Sequence, residues 1–92
     1  MNNLEISREK INEIDKKMAA LFEERMLIAE DVAAYKKENG LPILDKSREE
    51  AIIQNNLSFI QKSELKKYYI DFQQNLMEIS KCYQKDISKI EK

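Results

Sequence analysis

The sequence predicts an all-α protein of three helices, long, short and long. Three observations lead there. The 92 residues include one Gly, one Pro and no Trp, while the helix formers Ala, Leu, Glu, Lys, Gln, Ile and Met abound, so little in the chain punctuates a helix. Apolar residues recur every three or four positions, and no stretch alternates as a half-buried strand would. The only Gly and Pro fall together, at Gly40 and Pro42, and mark one clear break.

The first helix is predicted over about 7–39, with Ser7 as an incomplete cap because Lys10, not Glu, stands three residues on. One apolar seam runs through Ile11, Ile14, Met18, Leu21, Ile28, Val32 and Tyr35, and a second lies beside it at Ala19, Phe22, Met26, Ala29 and Ala33. Asn39-Gly40 ends the run, with Pro42 beyond it. Such a helix is roughly 50 Å long at 1.5 Å per residue. The remaining residues are too few to cover that rod within one small globule, so dimerisation through the first helix is expected.

A second helix is predicted over about 46–61, opened by a Ser47/Glu50 capping box and turned inward through Ala51, Ile53, Leu57 and Ile60. A third follows over about 64–90, capped by Ser63, with Leu65, Tyr69, Phe72, Leu76, Ile79, Tyr83, Ile87 and Ile90 inward. Residues 1–92 read as a single domain in a dimeric helical bundle.

Composition restricts the chemistry. Sixteen basic residues nearly balance 17 acidic ones, with the signs interspersed, so neither a nucleic-acid stripe nor a membrane-facing charge surface is expected. The first ten residues lack a signal-peptide core and no run reaches membrane-spanning length, which makes a cytoplasmic protein the plain expectation. With no His and one Cys, Cys82, the His- and Cys-based nucleophile and metal arrangements are out of reach. Any catalysis would rest on positioning and electrostatics.

The polar residues on apolar faces therefore matter most. Arg25 occupies a position where the first seam calls for an apolar side chain, a costly placement unless an anion meets it there. Its other reading is a polar residue that sets the register of a helical seam. Lys36 follows eleven residues later, on nearly the same face and about 16 Å along the axis; it also suits a solvated last turn. Arg8 lies seventeen residues before Arg25, roughly 25 Å away and on another side, so the two cannot grip one small molecule within a single chain. An antiparallel partner helix could bring Arg8 to the other chain's site; an ordinary surface arginine is the alternative. Asp45, Arg48 and Glu49 open the second helix, which begins near Asp45 or Ser47; acidic residues there also serve the helix dipole, and Asp45 can cap. Ser80 and Gln84, four apart, continue an inner line of the third helix. Of the 16 basic residues only Arg8, Arg25 and Arg48 are arginine, whose planar fork suits carboxylates.

Taken in order, these residues resemble the all-helical class of chorismate mutase along essentially the whole chain. The family pattern is an Arg opening helix one, an Arg and a Lys eleven apart further along it, Asp-x-x-Arg-Glu at the start of helix two, and Ser-x-x-x-Gln late in helix three. Here these read Arg8, Arg25, Lys36, Asp45-Lys46-Ser47-Arg48-Glu49 and Ser80-Lys81-Cys82-Tyr83-Gln84. The resemblance implies an intertwined homodimer with two shared sites, in a stand-alone monofunctional form. It implies the rearrangement of chorismate to prephenate on the way to phenylalanine and tyrosine, with no cofactor or metal. In that scheme Arg8 of the partner chain, Arg25 and Arg48 bind the two carboxylates with help from Ser80. Lys36 and Gln84 donate to the ether oxygen, Glu49 accepts from the ring hydroxyl, and Asp45 orients its neighbours. An isochorismate-pyruvate lyase of the same fold and a non-catalytic dimerisation module are the alternatives.

Overall fold

The computed structural model describes residues 2–90, apart from the side chain of Ile90, so the inward placement expected there lies outside the described residues. Three α-helices appear, α1 (Asn3–Glu38), α2 (Lys46–Leu57) and α3 (Lys66–Ile90), with a short 3-10 turn at Ser63–Leu65 and no strand among the described residues. The chain measures 55 × 27 × 14 Å with a radius of gyration of 16.6 Å. A compact chain of this length would have a radius near 12 Å, so α1 sets the shape. Helix α3 packs against both α1 and α2.

The caps account for where the helices differ from expectation. α1 begins four residues before Ser7, because Asn2 accepts a 2.8 Å hydrogen bond from the backbone N–H of Glu5 and so caps the helix itself. Its end matches the Asn39-Gly40 reading in detail. Leu41 N–H reaches the carbonyl of Lys36 (2.8 Å) and Gly40 N–H that of Lys37 (3.4 Å), with Gly40 at φ +64°, a turn that favours a residue without Cβ. α2 is capped by Asp45 rather than by Ser47. The Asp45 carboxylate accepts both the Arg48 N–H and the Ser47 hydroxyl at 3.0 Å, which places Ser47 inside the helix. α2 stops at Leu57 and not near residue 61, where turn bonds from Ser58, Phe59 and Ile60 replace the helical ladder. Ser63 does not cap α3; it starts the 3-10 turn, which carries no side-chain cap.

Core placement follows the number of available neighbours. Among the described residues the buried ones are Ala29 and Ala33 on α1 and Gln73, Met77, Ser80 and Gln84 on α3. Small residues on α1 admit close approach of α3 at that level, and Tyr83 adds a hydrogen bond across to the carboxylate of Glu30, which pushes the phenol up from its ordinary pKa. Leu65, Phe72 and Ile79 were expected inward but remain exposed in the protomer. The line Gln73, Met77, Ser80, Gln84 takes the packed side of α3, and the apolar line Leu65, Phe72, Ile79 is left exposed beside it. The same holds for the first half of α1, where Ile11 and Ile14 are each 54% exposed and Leu21 62%. A helix with an exposed apolar stripe therefore projects beyond the packed part of the chain.

Candidate active site

Where the three helices meet, a cleft of about 280 Å³ opens. α1 supplies Arg25 and Lys36, whose eleven-residue spacing returns both to one face. Asp45, Arg48 and Glu49 reach it from the start of α2, and Ser80 and Gln84 from the buried line of α3. Seven of the eight residues singled out from the sequence share this space. Arg8 does not; it is exposed on the projecting half of α1, and the cleft draws on no residue before Arg25.

The termini of two helices shape the site. Lys36 sits two residues from the end of α1, and its ammonium donates to the carbonyl of Ile43 at 2.9 Å, pinning the connecting loop over the cleft edge. An ammonium has three donors, so two stay available. Asp45 spends its carboxylate on the α2 cap; the Arg48 N–H first, then the Ser47 hydroxyl, hold it below the ordinary carboxylate pKa. Its part in the site is thus to fix the first turn of α2, from which Arg48 and Glu49 project.

On α3 the amide of Gln84 donates to the Ser80 hydroxyl oxygen at 3.2 Å, while its buried Oε1 has no hydrogen-bond partner among the described residues. Turned over by half a revolution, the same amide accepts from the Ser80 hydroxyl through Oε1 and presents its NH₂ as a donor. A buried polar pair with one unmet bond is costly alone, and a ligand group that completes it gains accordingly.

Sequence reasoning passed over two parts of the cleft. The apolar wall is Ile28, Ala29, Val32, Ile43, Ile52 and Met77; Ile28 and Val32 had been placed only on the dimer seam, although each stands one turn from a site cation. The other is Lys81, whose ammonium lies 3.0 Å from Glu49 Oε2 and 2.7 Å from Glu78 Oε1. Its position three residues before Gln84, on the same side of α3, was the available signal. With Lys81 the cleft holds four cations (Arg25, Lys36, Arg48, Lys81) against two carboxylates (Asp45, Glu49), a local charge of +2 in a chain whose net charge is −1. Among the described residues no group of His, Cys, Asp and Glu is arranged to hold a metal, and no helix is long and apolar enough to cross a membrane.

Fold and cleft together define an all-helical protein with a cationic, apolar-walled pocket between its helices. Residues 7–85 match the family model described as chorismate mutase type II. The chain belongs to that family. It is 37% identical over 89 residues to a bifunctional chorismate mutase/prephenate dehydratase of Buchnera aphidicola, covering 96% of this chain and 23% of the relative. A protein of the same description from Enterobacter agglomerans is 38% identical over 69 residues, 75% of this chain and 18% of the relative. A chorismate mutase of Methanocaldococcus jannaschii is 49% identical over 45 residues, 49% of this chain and 46% of the relative. The matched part is thus less than half the length of each of these relatives. No solved structure matches the chain.

Proposed function

We propose that this chain is a chorismate mutase, converting chorismate to prephenate toward phenylalanine and tyrosine, and that it works as an intertwined homodimer with two shared sites. The observation that carries the reading is the convergence of Arg25, Lys36, Arg48, Glu49, Ser80 and Gln84 on one cleft of charge +2, a match for a substrate with two carboxylates. The reaction is a unimolecular pericyclic rearrangement, so a site that compresses the substrate and stabilises the charge developing on its ether oxygen meets its needs.

In this reading Arg25 and Arg48 grip the carboxylates with Ser80, and the apolar wall confines the ring and the enolpyruvyl arm in the compact, reactive conformer. Lys36 and Gln84 donate to the ether oxygen as the carbon-oxygen bond breaks. Glu49 accepts from the ring hydroxyl, and Asp45 keeps the first turn of α2 in place. Arg8 of the partner chain completes the carboxylate grip. The exposed seam of Ile11, Ile14, Met18 and Leu21 offers a partner helix an apolar face, and Arg8 lies on that same helix.

The test is to add purified protein to chorismate, follow the loss of its ultraviolet absorbance and identify the product. Prephenate supports the proposal. Salicylate and pyruvate from isochorismate, with chorismate untouched, would move the assignment to the lyase, and inactivity of a folded dimer on both substrates would remove the catalytic reading.

Gln84→Glu tests the ether-oxygen contact. A protonated carboxyl donates as the amide does, whereas a carboxylate repels the developing negative charge. Turnover of the variant is expected to rise as pH falls through the carboxyl pKa and to be lower than wild type on the order of 10²-fold at neutral pH. A flat pH profile at wild-type rate would overturn the contact.

A further inference from the structure

Lys81 is the one cleft cation for which the proposed reaction has no use. Its side chain, from α3, is 14% exposed and bridges to Glu49 on α2, whose side chain is 25% exposed. The second bond, to the mostly exposed Glu78 one turn earlier on α3, anchors the ammonium from behind. Both carboxylates favour the charged amine and raise its pKa, Glu78 more than Glu49, so Lys81 stays cationic throughout the neutral range.

Glu49 shares the cleft with Arg25, Lys36 and Arg48. Each of these attracts a carboxylate, and in a partly shielded site such attraction is stronger than at an open surface. A Glu49 without a fixed partner would swing toward them and occupy the donors that a substrate carboxylate needs. Lys81 competes from the α3 side. It takes one carboxylate oxygen, Oε2, and leaves the other, Oε1, as an acceptor.

We infer that Lys81 is a positioning residue of this site, holding the Glu49 carboxylate apart from the other cleft cations so that its second oxygen accepts the ring hydroxyl of the substrate. The inference rests on the chorismate reading of the cleft.

A double-mutant cycle decides it, with kcat and KM for chorismate measured on wild type, Lys81→Met, Glu49→Gln and the double variant. Lys81→Met is expected to lower kcat/KM about tenfold, within the coupling range of residues that share a network. Lys81→Arg should restore most of the loss, because a guanidinium can bridge the same two carboxylates. In the Glu49→Gln background the Lys81→Met cost should shrink to within about twofold. If Lys81→Met misfolds by circular dichroism, Lys81→Gln takes its place in the same cycle. An equal cost with and without the Glu49 carboxylate would overturn the inference by making Lys81 act independently of Glu49, and so would an unchanged kcat/KM. A wild type that turns over chorismate beside an unaffected Lys81 variant sinks the positioning role alone; a wild type inactive on chorismate sinks the functional reading and the role with it.

Discussion

Lys36→Ala is expected to lower kcat by about 10²–10³-fold, the usual cost of removing one preorganised donor from developing negative charge. The ammonium stands at the end of α1, fixed by the Schellman turn at Gly40 and by its bond to the Ile43 carbonyl. That bond uses one of three donors and aims the group without exhausting it. In the ground state the ether oxygen is a weak, uncharged acceptor; it gains charge only as its bond to the ring breaks. Lys36 therefore gives most of its stabilisation at the transition state, and the loss should fall on kcat with KM changed far less. Losing the Ile43 bond also frees the loop, an effect that would raise KM instead. Lys36→Gln separates the two, because it keeps a neutral donor while discarding the charge; it should sit between wild type and Lys36→Ala in kcat. Steady-state kinetics with chorismate checks all three, and near-full turnover in Lys36→Ala would contradict the role.

Which parts were legible in the sequence follows from what helical periodicity encodes. Spacing alone put Arg25 and Lys36 on one face, and the two line one cleft. The tight windows Asp45–Glu49 and Ser80–Gln84 each span about one turn, so each moves as a unit, and both meet the cleft. Periodicity carries no information on which line of an amphipathic helix wins a shared neighbour. The Gln73–Met77–Ser80–Gln84 line is more polar than Leu65–Phe72–Ile79, yet it is the buried one, and Met77, Ser80 and Gln84 of it line the cleft together with Ala29. Caps were misplaced for a similar reason. Asn2, Asp45 and Ser47 are all good capping types, and only the observed bonds, Asn2 to the Glu5 N–H and Asp45 to the Arg48 N–H, decide among them. Lys81 had only its spacing from Gln84 to mark it, and a lysine three residues after Glu78 reads as ordinary surface charge until α2 brings Glu49 to it.

Mixing two inactive proteins should yield an active one, and the arithmetic makes this the sharpest test of the shared site. Arg8 is exposed, lies on the projecting half of α1 and has no place in its own cleft. Arg8→Ala and Arg25→Ala homodimers should each lose about 30- to 4,000-fold in kcat/KM, since truncating one side of a shielded, hydrogen-bonded charge pair costs about 2–5 kcal/mol at 1.4 kcal/mol per tenfold. After random reassortment of equal amounts, about half the dimers are mixed. Each mixed dimer has one site with both arginines and one with neither. About a quarter of all sites, and hence about a quarter of wild-type activity, should return. If Arg8 acted within its own chain, every site in the mixture would still lack one arginine and nothing would return. Subunit exchange, followed by mass on differently sized variants, must accompany the assay, so that silence in a mixture that has demonstrably exchanged would refute the shared site. The recovery also has a built-in dose response: at unequal ratios the mixed fraction falls as twice the product of the two subunit fractions, and activity should follow that curve. Non-specific stabilisation of one variant by the other would rise steadily with the amount of the stabilising partner instead.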